Sequence, residues 1–189
     1  MSPSYDEHYA AGGFKYSAAQ REWLKREVID AFGLRACESV LDAGCGDGFW
    51  TGLLQSEGLR AMGIDYSAVG IRAATESFPD ADFIQADLEK PLQLQRTFGA
   101  VFVRNLSHLL RADLAPAVPV LANLVNAVRD NGVLMVVQYS HRDGSIRGTA
   151  VNHPLSGYVQ LVERVADIDI VKVVADYVLI HSRVDHEPR

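Results

Sequence analysis

The chain of 189 residues is short of cysteine, of positive charge and of long apolar runs, and each shortage removes a class of protein. Two cysteines, Cys37 and Cys45, do not make a disulfide framework or a metal site by spacing, so no bound metal is expected. Lysine and arginine number 18 against 24 aspartates and glutamates, a formal net charge of −6 that provides no general electrostatic footprint for nucleic acid. The apolar run Val133 to Val137 is far below a membrane span, and the N-terminal MSPSYDEHYAAGGF has no apolar h-region. A cytoplasmic location and no membrane partner are therefore the expectation. No repeat, low-complexity tract or linker interrupts the chain. Hydrophobic residues make up 48% and charged residues 22%, the balance of an ordinary globular chain, and the length suits one buried core better than two.

Within that ordinary background, Val40 to Gly48 stands out, reading VLDAGCGDG. An apolar strand runs into an acid and then into three glycines at alternating positions. Such a turn, feeding a helix, presents bare backbone and a helix N-terminus to whatever lies above the strand end. A second short apolar run, AMGID, ends about 20 residues later in Asp65, where a carboxylate can accept both hydroxyls of a ribose. Spacing separates three cofactor readings. The dinucleotide fingerprint wants G-x-G-x-x-G, but Gly44, Gly46 and Gly48 are followed by the bulky Phe49 and Trp50. A phosphate loop wants Lys and then Ser or Thr, whereas Asp47 stands in this turn and would repel pyrophosphate. A cofactor with ribose and adenine but no phosphates remains. The turn would handle a small zwitterionic end group of that cofactor, and Asp42, at the strand end, would face its ammonium or a bound water, or simply cap the turn. Cys45 lies where the turn needs a small side chain, which favours a packed residue over a reactive thiol.

The hydrophobic periods alternate between strand and helix along the whole chain. Ser17 and Gln20 form a capping box ahead of a helix with Leu24, Val28 and Phe32 on its apolar side, closed by Gly33. Strands are expected at 39–43, 60–64, 83–86, 99–103 and 132–139, with helices at 49–57 and 68–78 between them. Leu114, Val118, Leu121, Val125 and Val128 form a helical stripe despite Pro116 and Pro119. Leu155, Tyr158, Val159, Val162 and Val165 form another. Two β-rich stretches, 169–175 and 177–183, have almost no linker between them, so one reverses beside the other and predicts an antiparallel edge. The expected architecture is an α/β three-layer sandwich of Rossmann-like type, with a mostly parallel seven-stranded sheet and an antiparallel C-terminal edge strand.

These motifs, in this order and spacing, resemble the class I S-adenosylmethionine-dependent methyltransferases, in particular the small bacterial type acting on small molecules. VLDAGCGDG is similar to that family's first motif, GIDYS (63–67) to its second and FIQADLEKP (83–91) to its third. GAVFVRNLSHLL (99–110) is similar to its fourth strand and following loop, and NAVRDNGVLMVVQYS (126–140) to its fifth-strand region. The resemblance implies S-adenosylmethionine as methyl donor and S-adenosylhomocysteine as product. It implies a cofactor site over Asp42, Gly44, Cys45, Gly46, Gly48, Asp65 and Tyr66, with Asp87 as the adenine-binding acid. Leu88 would offer its backbone N–H to the adenine ring, and Arg104 would meet the methionine part through backbone. One domain spans 1–189, with 1–34 as N-terminal lid segment and helix, 38–140 as cofactor core and 141–189 as substrate-side loop, last helix and strands.

Methyl transfer from a sulfonium asks the protein mainly to align the acceptor and exclude water. A base is needed where the acceptor holds a proton, and His108, in the loop after the fourth strand, is the candidate; a role in shaping the pocket stays open. The fourth motif lacks both Asn/Asp-Pro-Pro-Tyr and paired metal-ligating carboxylates, which demotes nucleic-acid bases and catechols as acceptors. Specificity then falls to two segments. The first, 5–16, carries Tyr5, His8, Tyr9, Phe14 and Tyr16, rings that either form a lid or staple the first helix. The second, 140–154, carries His141, Arg142, Arg147 and His153 with Gly144 and Gly148, either greeting an anionic acceptor or standing in solvent. The expected activity is transfer to oxygen or nitrogen of a small molecule. Two rivals stay open: a non-catalytic cofactor-binding partner or sensor, and a nicotinamide-dependent oxidoreductase.

Overall fold

Local signals in the chain set most element boundaries in the computed structural model, which describes residues 5–13, 15–140, 146–147, 150–151, 153–174 and 176–186. The chain forms two compact units, Met1–Asp87 and Leu88–Arg189. The first holds α1 (Tyr5–Ala10), α2 (Ala18–Leu24), β1 (Ser39–Ala43), α3 (Phe49–Ser56), β2 (Arg60–Asp65), α4 (Ala68–Ser77) and β3 (Asp82–Gln85). The second holds β4 (Phe98–Arg104), α5 (Ala117–Val125), β5 (Val128–Tyr139), β6 (Ile146–Arg147), β7 (Ala150–Val151), α6 (Leu155–Val162), β8 (Asp167–Val174) and β9 (Tyr177–Val184). The strands of the first unit run in the order β3-β2-β1 and those of the second in the order β4-β5-β9-β8, and β6 pairs with β7 in a separate hairpin.

In the first unit, β1 is buried along its whole length and runs parallel to β2, which runs parallel to β3. Full burial matches the near-continuous apolar character of a strand covered on both faces. The capping box at Ser17 is present: its hydroxyl accepts from the Gln20 N–H at 3.3 Å, and the Gln20 side chain accepts from the Ser17 N–H at 2.7 Å. Past Leu24 the helix widens into a π-helical stretch, Lys25–Asp30, which places Leu24, Val28 and Ile29 in the core before Gly33 closes it in the left-handed region. Ser17→Ala removes one capping acceptor and is expected to lower unfolding free energy by about 1 kcal/mol, read from denaturant midpoints at unchanged m-value.

In the second unit, β4 and β5 run parallel, β5 and β9 antiparallel, and β8 and β9 antiparallel. The expected antiparallel C-terminal strand is β9; it takes the place beside β5, and β8 forms the edge. Two expectations shift. The stripe read over 114–128 is replaced by a shorter helix burying Ala117, Val120, Leu121 and Leu124. Pro116 stands at its N-cap, so the helix begins later, and Val128 leaves it to start β5. β5 is longer than expected because its register against β4 jumps from Phe98↔Val128 to Ala100↔Val133. Residues 128–131 are the added length, with Asn131 at φ 58°. Among the described residues no helix is long and apolar enough to cross a membrane.

Candidate functional site

The glycine turn of the first unit is held from below by β2 and closed from above by α1. The N–H groups of Gly44 and Cys45 both donate to the Ile64 carbonyl, at 2.8 and 3.0 Å, so the turn is pinned to the end of the neighbouring strand. Gly46 (φ 57°) and Gly48 (φ 79°) take left-handed backbone that side chains resist. Space forbids side chains as well. A Cβ on Gly46 would sit 2.5 Å from the Tyr9 hydroxyl, and one on Gly48 would sit 2.6 Å from Cβ of Ala74.

Asp65 is the centre of this site. Its two carboxylate oxygens each accept a backbone N–H, from Gly46 at 2.9 Å and from Ser67 at 2.8 Å. One acid therefore locks the glycine turn to the start of α4. An ionised carboxylate has about four lone-pair sites, so each oxygen keeps capacity for a further donor such as a sugar hydroxyl. Burial pushes the Asp65 carboxyl above the usual carboxylate range, while the N–H groups of Ser67, Gly46 and Tyr66 work against that shift and the Asp6 carboxylate adds to it. A half-buried, hydrogen-bonded acid whose charge is costly is a candidate for binding a ligand.

Asp42 is almost fully buried and accepts from the Thr51 hydroxyl at 2.6 Å, which ties the end of β1 to α3. Cys45 is buried, and burial together with Asp42 and Asp65 pushes its thiol well up, so it packs as a small neutral residue. Tyr66 stands at the opposite extreme, 73% exposed beside Asp65, an apolar plate open to stacking. Asp87 is half-buried at the end of the same unit.

The N-terminal aromatics take two different positions. Tyr9 is buried with its hydroxyl over Gly46 and its ring against Gly70, and Asp6 bonds to the Ser67 hydroxyl. Burial and the charges of Asp65 and Asp47 push the Tyr9 phenol far above its ordinary value, so it stays a neutral hydroxyl. Tyr16 instead staples, stacking on Phe49 at 4.1 Å between centroids and meeting Trp50 edge-on. Phe14 lies outside the described residues.

In the second unit, β4 ends at Arg104 and the chain turns through Asn105, a non-glycine at φ 48°. Asn105 is held there by both its groups: its N–H donates to Val137 at 3.1 Å and its side-chain oxygen accepts from Tyr139 at 3.1 Å. A short 3₁₀ segment, Ser107–Leu110, follows, anchored by buried Leu109. His108 lies on it with Nε2 3.2 Å from Oε1 of Glu89, and Arg111 reaches the same oxygen at 3.4 Å. The Arg104 side chain turns to the Tyr177 hydroxyl, 3.2 Å away, and stacks over that ring. The buried Leu88 carbonyl accepts from Asn123 at 3.1 Å. His153 is structural: its Nε2 donates to the Arg111 carbonyl at 2.7 Å, and its backbone N–H donates to the buried Tyr158 hydroxyl at 3.2 Å. His141, Arg142, Gly144 and Gly148 lie outside the described residues, as does the Arg147 side chain.

The structure thus brings Asp42, Gly44, Cys45, Gly46, Gly48, Asp65 and Tyr66 together in one unit. Sequence reasoning missed Thr51, Tyr9 as the cover of Gly46, and Glu89. Only proximity in the motif signals Glu89, two positions past Asp87; the contact with His108 spans 19 residues and has no periodic signature. A cavity of about 440 Å³ in the second unit, lined by Pro91, Leu92, Leu94, Asn123 and Asn126 among others, includes none of the expected site residues.

Comparison with known proteins gives a consistent result. Residues 40–132 match the family described as methyltransferase domain. A demethylmenaquinone methyltransferase of Beutenbergia cavernae is 30% identical over 120 residues, covering 64% of this chain and 48% of the relative. A trans-aconitate 2-methyltransferase of Escherichia coli O7:K1 is 32% identical over 125 residues, covering 65% and 48%. The chain spans about half the length of these curated relatives. The crystal structure of a TehB-like SAM-dependent methyltransferase from Corynebacterium glutamicum superposes with a TM-score of 0.65 over 96% of this chain and 94% of that one. Its 20% identity makes this a likeness of fold.

Proposed function

Since the chain belongs to the class I S-adenosylmethionine-dependent methyltransferases, an enzyme family, we propose that it transfers a methyl group to an oxygen or nitrogen of a small-molecule acceptor. The observation that carries this reading is Asp65, a half-buried carboxylate at the end of β2 bound to the glycine turn and still able to accept ribose hydroxyls.

S-adenosylmethionine, when bound, supplies a methyl group on a sulfonium, whose departure needs no help from an acid. The residues of the chain do the rest. Asp65 would orient the ribose, Tyr66 would offer its exposed ring to the adenine, Asp87 would accept from the adenine amino group and the Leu88 N–H would donate to the ring. Asp42, already bonded to Thr51, draws the ammonium end toward β1, and Arg104 contributes backbone. His108 takes the acceptor's proton as the new carbon–oxygen or carbon–nitrogen bond forms. The named relatives methylate a demethylmenaquinone and trans-aconitate, both small molecules, which supports a small-molecule acceptor here over a macromolecule.

S-adenosylhomocysteine binding only the folded state is expected to raise the melting temperature, by about 1.4 kcal/mol of added stability for each tenfold excess over Kd. Differential scanning fluorimetry across a ligand series reads this directly. A flat melting temperature at millimolar ligand would sink the reading, and turnover in an acceptor screen with radiolabelled methyl donor would separate the enzyme from a cofactor-binding sensor.

A further inference from the structure

Leu88 begins the second unit, in a stretch, 88–97, that holds no helix or strand before β4. In such a stretch each backbone group has to find its own partner. The residue is packed to 4% exposure, and its carbonyl accepts from the side-chain amide of Asn123 at 3.1 Å, across 35 positions of the chain. Its own N–H makes no hydrogen bond among the described residues. A backbone donor left over beside a bonded carbonyl points to the acceptor of a ligand.

We propose that Asn123 is the positioning residue for the Leu88 amide, an inference that rests on reading the Leu88 N–H as a donor to the adenine ring. Asn123 lies half-buried on α5, and the neighbouring Val120, Leu121 and Leu124 are buried, so the amide projects from a helix fixed by packing. Asparagine does not favour a helix by itself, because its side chain competes for backbone groups. Here that side chain serves a carbonyl outside its own helix. With the Leu88 side chain packed and its carbonyl bonded, two bonds at the tetrahedral Cα have set directions, and the place of the amide nitrogen follows. The donor is therefore in position before the ligand arrives, and binding does not have to order it. Without the Asn123 amide the peptide after Leu88 regains rotation, and the N–H loses its preset place.

Adenine carries two acceptors, N1 and N7, on either side of its amino group, and replacing the bonded one with carbon removes the contact. Calorimetric titration of the full chain compares S-adenosylhomocysteine with its 1-deaza and 7-deaza analogues in wild type, Asn123→Ala and Asn123→Asp, at a pH where the introduced carboxylate is ionised. In wild type one of the analogues is expected to bind roughly 3- to 10-fold more weakly than S-adenosylhomocysteine, the size of one hydrogen bond. Asn123→Ala should lose a similar factor for S-adenosylhomocysteine and no longer tell it from that analogue by more than about 2-fold, since the two losses remove one interaction and do not add. Asn123→Asp, which keeps the volume and loses the donor, should behave alike, and it reads the same contact where the alanine variant does not fold. A merely structural Asn123 would weaken all three ligands by one factor, and discrimination that survives in the folded variants overturns the assignment. The function above fails differently: absent S-adenosylhomocysteine binding in wild type counts against the transferase, whereas binding that ignores both analogues removes Leu88 from the adenine, and Asn123 with it.

Discussion

His108→Gln is expected to lower methyl-transfer turnover by roughly 10² to 10⁴ while leaving S-adenosylhomocysteine affinity nearly intact. Glutamine keeps most of the ring's volume and hydrogen-bonding reach but cannot take up a proton near neutrality. The loss should therefore fall in kcat and not in the acceptor's KM, and the acidic limb of the pH–rate profile should vanish with the imidazole. His108 is built for this loss to be clean. Buried Leu109 fixes the 3₁₀ segment that carries it, and Asn105 fixes the turn before it, so the substitution removes a proton site without freeing the loop. Steady-state kinetics across pH on both proteins, beside a cofactor titration, measures the effect. Turnover within a few-fold of wild type, with the acidic limb unchanged, would remove the base assignment. Proximity and desolvation would then carry the reaction, and His108 would shape the acceptor pocket instead.

Asp65→Ala is expected to weaken S-adenosylhomocysteine binding by roughly 1 to 3 kcal/mol, since charge-assisted hydrogen bonds to the ribose are lost. Two effects act together, because the substitution also frees the Gly46 and Ser67 N–H groups that shape the turn. The wild-type protein should show a pH signature that the variant lacks. Burial holds the Asp65 carboxyl above the ordinary carboxylate range, so it takes up a proton earlier on acidification than a surface aspartate. A protonated oxygen turns from acceptor to donor, and cofactor affinity is expected to fall from a pH above that ordinary range downward. For the free protein the sign is opposite. A folded-state pKa above the unfolded value means that ionised Asp65 costs stability at neutral pH, and the cost is relieved as pH falls through the folded pKa. Calorimetric titration at several pH values reads the affinity arm and thermal unfolding of the free protein across the same pH values reads the stability arm; wild-type affinity in Asp65→Ala would take Asp65 out of the site.

The motif residues were legible because backbone chemistry is local. The turn needs glycine at Gly46 and Gly48 for its left-handed conformation, and a strand must end in an acid at Asp65 for a carboxylate to meet it, so residue type and spacing carry the information. The capping box at Ser17 and the strand at 39–43 were readable for the same reason. Where the chain offered two periods at once, packing chose. Leu114 and Val128 fit a helical stripe by spacing, but Pro116 delays the helix and pairing with Phe98 claims Val128 for a strand.

The sequence by itself determined the order of strands and helices, the glycine turn and the acid that ends the second strand, since each is set by residue types inside its own element or turn, even though the turn and the acid stand 19 residues apart. Tertiary structure alone decided which nitrogen of His108 faces Glu89, that Tyr9 covers Gly46, and that Thr51 and Asp42 join strand to helix. Those contacts depend on where folding delivers distant side chains. The free energy that selects them comes from burying apolar surface, which is non-directional and leaves no spacing rule in the chain.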